Sequence, residues 1–170
     1  ILSATNMGVI DAALGQLARG RSVAVVGGIG DAALLAQAAA DLRSGRRTTH
    51  PDLAAFRSWE EFAAFVKHDP DGEDFRVLVS LVETYGTDQI LALKRRLCDR
   101  EADAQVTVST CHKSKGREWD SVLIGSDFNP RFDEETGEPM PFTCEQKMLA
   151  YVAVTRAKLA LCPGPLASVQ

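Results

Sequence analysis

Five short apolar stretches, residues 1–5, 22–27, 106–111, 121–126 and 159–162, punctuate this chain. Each is rich in aliphatic or β-branched residues and too short for an isolated helix, so each predicts a strand. Several are almost continuously apolar, which is the pattern of parallel strands covered on both faces. Between them, apolar positions recur at three- and four-residue intervals over 7–18, 31–43, 58–68, 73–85, 87–99 and 143–158, and these segments predict helices. Strands alternating with helices predict an α/β fold on a parallel sheet, with right-handed, doubly wound connections as the default.

The spacing of the strands also predicts how the chain is organised. Between the second and third strands, residues 31–103 are helical in pattern and too numerous for one crossover. They are expected to form a small helical insertion, leaving residues 1–30 and 104–170 for the sheet domain. Within the insertion, DPDGED at 69–74 reads as a turn-rich break. A second break, 129–142, contains Pro130, Gly137, Pro139 and Pro141 and is expected to be a mobile connector. The chain contains no internal repeat.

At 170 residues the chain suffices for one well-buried domain with a small appendage. Its 45% hydrophobic and 25% charged residues are ordinary for a soluble globular protein. A net charge of -4 excludes a wholesale basic nucleic-acid binder, so any such contact must be local or shared with another domain. Cys98, Cys111, Cys144 and Cys162 lie far apart without CxxC spacing, as in a reduced, cytoplasmic protein. No run approaches the roughly 20 apolar residues of a membrane span, and no signal segment opens the chain. The chain starts at Ile1 inside a predicted strand, and a fragment of a longer polypeptide is the expectation.

Candidate chemistry gathers in two segments. The first, VTVSTCHKSKGREWD at 106–120, runs from a predicted strand into a loop at the carboxyl end of the sheet, where α/β proteins place ligands. Lys113, Lys115 and Arg117 alternate there around Gly116, either as a solvated turn or as a split site for DNA phosphate and nucleotide. Trp119 opens the next strand and reads as a packing anchor rather than a base-stacking platform. In the second segment, TCEQKMLAYVAVTRAKLALC at 143–162, a helix would place Leu149, Val152, Ala153 and Arg156 on one face. An apolar stripe ending in a guanidinium has two readings: an arginine that snorkels or pairs with a carboxylate, or an arginine finger aimed at a transferring phosphoryl group. Glu145 suits the helix start in either case.

Elsewhere the signals are weaker. Gly27, Gly28 and Gly30 invite a dinucleotide reading but lack its full spacing, and a tight strand-to-helix turn is favoured. His50 and His68 read as isolated surface residues. The chain has no GxxxxGK[ST] phosphate cradle and no apolar strand ending in paired acids.

The two segments together resemble motifs V and VI of the superfamily-one DNA helicases of the UvrD/PcrA/Rep type. The resemblance rests on Thr110, His112, Lys115, Gly116, Glu118 and Trp119 in the first, and on Glu145, Leu149, Tyr151, Val152, Ala153, Thr155, Arg156 and Ala157 in the second. FRSWEEFAAF at 56–65 and LVETYG at 81–86 are similar to the compact branch that includes the F-box DNA helicases. The resemblance implies a second RecA-like (P-loop NTPase-like) motor domain with a reduced helical insertion. It further implies ATP and magnesium held mainly by an N-terminal RecA-like domain of the same polypeptide, and single-stranded DNA as partner, normally tracked 3′ to 5′. Arg156 is then the catalytic finger at the γ-phosphate, with Gly116 and Glu118 on the nucleotide side and Tyr151 and Thr155 supporting the helix. Thr110 and His112 face DNA, joined by Lys113 and Arg117; no metal ligand is assigned to this chain. Residues 1–6 resemble motif IV, but Ser3 and Ala4 stand where an aromatic residue and an arginine are usual. That departure keeps a rival open, a catalytically degenerate DNA-binding or regulatory module.

Overall fold

The computed structural model describes residues 1–128 and 140–168. Most of the proline-rich connector at 129–142 therefore lies outside the described residues. The chain divides into two compact units, Ile1–Gly27 with Cys98–Gln170, and Gly28–Leu97.

The first unit is a parallel sheet. Strands β1 (Leu2–Ser3), β2 (Val23–Val25) and β3 (Val106–Thr110) form one part in the order β1-β3-β2, and β4 (Trp119–Leu123) pairs with β5 (Ala157–Cys162) in the other. A parallel bridge from Leu2 to Ile124 joins the two parts. Register is set by Leu2 beside Ser109 and Val23 beside Val106. Helix α1 (Asn6–Ala18) follows β1 at once, because Thr5 is extended and its hydroxyl accepts the Gly8 N–H at 3.0 Å, satisfying one of the orphan donors of a helix start. The core around β1 and β4 comprises Leu2, Cys111, Val122, Ile124, Phe128 and Ala153.

Strands β1 to β3 carry the burial that their apolar runs predict, whereas β5 does not. Leu159 is 82% exposed and Leu161 40% exposed, since β5 is an edge strand pairing with β4 alone among the described residues. Helix α6 (Cys144–Val154) opens with a reciprocal capping box between Thr143 and Gln146. It stops four residues before its pattern does. Ala157 pairs with Trp119, and the Trp119 N–H donates to the Arg156 carbonyl at 3.0 Å, so sheet pairing takes residues that helical periodicity would have continued through. Arg156 consequently lies beyond the helix rather than on its apolar face.

The second unit contains α2 (Gly30–Arg43), α3 (Trp59–His68), α4 (Arg76–Tyr85) and α5 (Thr87–Arg96). Alanines 32, 33, 36, 38 and 39 are buried along α2, and small side chains there allow close approach of its neighbours. Phe62 is fully buried amid Phe56, Trp59 and Phe75, with ring centroids at 5.1, 5.6 and 5.6 Å. Glu83 accepts from the Trp59 indole and from Arg43, whose guanidinium lies 5.2 Å over the Trp59 ring. The segment 73–75, which its pattern assigns to a helix, belongs instead to a 3-10 turn, Pro70–Phe75. Gly72 packs there against the backbone of α3, where a Cβ would stand 2.5 Å from the Val66 Cα. His50 is not an isolated surface residue: it is half-buried, with Nδ1 3.8 Å from Asp52. His68, at the end of α3, is exposed.

Candidate functional site

The loop after β3 is folded by its own short polar side chains. Thr110 is buried, its hydroxyl accepts the Lys113 N–H at 3.3 Å, and its carbonyl accepts the Ser114 N–H at 3.0 Å. Ser114, also buried, donates through Oγ to the Cys111 carbonyl at 2.8 Å. Gly116 adopts φ +78°, a left-handed conformation natural to glycine, and the Arg117 N–H closes the turn on the Ser114 carbonyl. His112, Lys113, Lys115, Gly116 and Glu118 are thereby left exposed. Cys111 points inward, and burial first, then the nearby Asp127 charge, pushes its thiol up to about 12, so it packs as an unreactive thiol at neutral pH.

The three loop cations differ in their surroundings. Arg117 is ion-paired with Glu101. Lys113 and Lys115 have no ion-pair partner among the described residues, and the Lys113 stem lies across Gly27, where a Cβ would stand 3.2 Å from Nζ. Gly27, at φ +72°, therefore serves both a strand-to-helix turn and the close passage of Lys113. His112 and Lys115 border a cavity of about 620 Å³ floored by Met148, Leu149, Tyr151 and Val152 of α6. Tyr151 is 69% exposed there.

Arg156 sits in the turn between α6 and β5. Its Nε donates to the Val152 carbonyl at 3.1 Å, Nη1 to the Arg117 carbonyl at 3.3 Å, and Nη2 to the Thr155 hydroxyl at 3.0 Å. No carboxylate pairs with it among the described residues. The expectation of an internal ion pair as its structural role gives way to a different one: a cation over the unsatisfied carbonyls at a helix C-terminus, where the dipole favours positive charge. The structure thus joins Arg156 to the exit of the loop bearing Gly116 and Glu118, while Thr110 stays inside the loop's scaffold.

Asp127 is a contributor that the motifs did not single out. Its carboxylate accepts from the Thr5 N–H at 2.8 Å and the Thr5 hydroxyl at 2.9 Å, tying the start of α1 to the end of β4. Gly8 makes room for it, since a Cβ there would stand 2.1 Å from Asp127 Oδ2. An acid just past a strand's carboxyl end was the available signal. Ser3 is completely buried beside this group, and Ala4 packs on the core. At Ser3, a larger side chain would meet the space that Gly125 leaves, because Ser3 Oγ lies 2.9 Å from a Cβ placed there.

A parallel-stranded α/β domain of RecA-like type, with a basic loop and an arginine at a helix end that no carboxylate pairs with among the described residues, is the class that fold and site define. Residues 62–162 match the model of the UvrD-like helicase C-terminal domain, and the chain belongs to that family. It is 31% identical over 137 residues to F-box DNA helicase protein 1 of Schizosaccharomyces pombe, an alignment covering 75% of this chain and 16% of that protein. No solved structure matches the chain. No helix among the described residues is long and apolar enough to cross a membrane.

Proposed function

We propose that this chain is the C-terminal motor domain of an ATP-dependent DNA helicase or translocase, working on DNA inside the cell as part of a longer protein. The observation that carries the reading is Arg156: its guanidinium has a fixed direction and, among the described residues, no carboxylate to neutralise it. Tested against ATP and magnesium, the residues present fit one side of a site. Arg156 offers a cation to the γ-phosphate, and Gly116 and Glu118 line the same loop exit, whereas the sequence has no phosphate cradle and no magnesium-binding acid pair. Bound ATP and magnesium supply the phosphoryl transfer, and an N-terminal RecA-like domain holds most of them. This chain contributes positioning and charge: Arg156 stabilises the charge that builds on the transferring group, and the loop before it follows DNA phosphates.

On the DNA side, Lys113 and His112 make the contacts, Thr110 shapes the loop that presents them, and Arg117 contributes less because Glu101 already holds it. Lys113→Ala is expected to weaken single-strand binding similarly across sequences and to reduce the magnitude of the log-affinity against log-salt slope by about 0.7, the loss of one phosphate contact. Arg117→Ala is expected to change the slope less. Titrations at several salt concentrations check both, and an unchanged slope for Lys113→Ala would return the loop to a solvated turn.

The chain by itself is expected to hydrolyse no ATP, because half of an interdomain site supplies neither the binding nor the alignment of the reacting groups. Strong magnesium-dependent hydrolysis by the purified chain would overturn the two-domain reading. The buried Ser3 favours one rival, a degenerate regulatory or DNA-binding module. A protein that binds DNA but shows no hydrolysis even with its N-terminal domain present would establish that rival.

A further inference from the structure

We infer that Thr155 is a positioning residue for Arg156, its hydroxyl fixing the rotation of the guanidinium so that the unused donors face an anion. The inference rests on Arg156 acting as the finger. An arginine carries five N–H donors in a rigid plane. Among the described residues three are committed, Nε to the Val152 carbonyl, one on Nη1 to the Arg117 carbonyl and one on Nη2 to Thr155 Oγ1. One N–H on each terminal nitrogen remains for an anion, the number a bidentate contact uses.

Of the three acceptors only Thr155 is a side chain, and it is itself held. Its hydroxyl lies 2.9 Å from the Tyr151 carbonyl and 3.0 Å from the Val152 carbonyl, so its single proton is directed back into the helix end. The oxygen's lone pair is thereby turned towards Nη2. Helix end, hydroxyl and guanidinium form a chain in which the hydroxyl gives its proton to the two helix-end carbonyls and accepts from Nη2. The Arg117 carbonyl adds a second support from the basic loop, and the Trp119 N–H fixes the Arg156 backbone from the same side. Thr155 is exposed, so its hydroxyl is not needed to satisfy a buried group.

Thr155→Val keeps the shape but removes the acceptor, and Thr155→Ser keeps the acceptor. In the full-length protein, Thr155→Val is expected to lower kcat for DNA-stimulated ATP hydrolysis by about ten- to a hundredfold, the scale of a misplaced catalytic group, with KM for ATP changed less than about twofold. Thr155→Ser is expected to restore most of the rate. Arg156→Ala runs beside them. If it is active, both the finger and the positioning role fall; if it is inactive while Thr155→Val is normal, only the positioning role falls. Equal losses in the Val and Ser variants would also overturn the role, because Ser retains the accepting hydroxyl and its loss could not trace to a missing acceptor. Nitrogen NMR of the arginine side chains gives a readout independent of hydrolysis. Slow rotation about the Arg156 Cζ–Nη2 bond is expected in the wild type and Thr155→Ser and fast rotation in Thr155→Val, and equal rotation in all three would sink the inference.

Discussion

Arg156→Ala in the full-length protein is expected to lower ATP hydrolysis at least about a hundredfold, a lower bound on the roughly three to five orders of magnitude that such arginines contribute. DNA binding is expected to stay near normal, since the basic side chains of the loop are untouched. The structural cost should be small. Arg156 makes hydrogen bonds to two carbonyls and a hydroxyl at a helix end, with no carboxylate among the described residues to strand, so its loss costs about 1 kcal/mol, or about 2–4 °C in Tm for a domain of this size. Arg156→Lys should recover little, because an ammonium keeps the charge but cannot span Val152, Arg117, Thr155 and an anion together. Melting and DNA-stimulated hydrolysis, measured on the same preparations, separate the roles. A variant that melts several degrees lower yet turns over normally would leave Arg156 as a helix cap only.

Phe62→Ala is expected to destabilise the helical unit by about 3–5 kcal/mol. Phe62 is completely buried, and three aromatic rings lie within 5.6 Å of its own, two of them edge-on. Removing it forfeits the transfer of a large apolar side chain and leaves a cavity that rings on three different segments cannot readily close. Against a typical total of about 5–15 kcal/mol, this is enough to unfold a marginal unit. Phe62→Leu retains much of the volume and should cost much less. Because Trp59 lies in this cluster and Trp119 in the sheet unit, urea unfolding followed by fluorescence in a Trp119→Phe background reports the helical unit selectively. A loss below about 1 kcal/mol would show that the cluster is not what holds the four helices.

Several features were legible from local pattern because local physics decides them. The apolar runs at β1, β2 and β3 are strands, and glycine marks the sharp turns at 27 and 116. The motif residues from Thr110 to Trp119 and from Glu145 to Ala157 sufficed to indicate the helicase family before any geometry was known.

Partner choice was another matter. Residues 155–158 continue a helical pattern, yet parallel pairing of Ala157 with Trp119 ends α6 at Val154 and moves Arg156 off the apolar stripe. Three loop cations look equivalent in sequence, but a glutamate sixteen residues upstream neutralises Arg117 and leaves Lys113 and Lys115 without an ion-pair partner among the described residues. The arginine that the sequence identified by type acquires its direction from the Arg117 carbonyl, thirty-nine residues away. Periodicity and capping are written into neighbouring residues. Which carbonyl meets which guanidinium, and which charge is cancelled, depends on segments brought together by the sheet, and only the tertiary structure decides it.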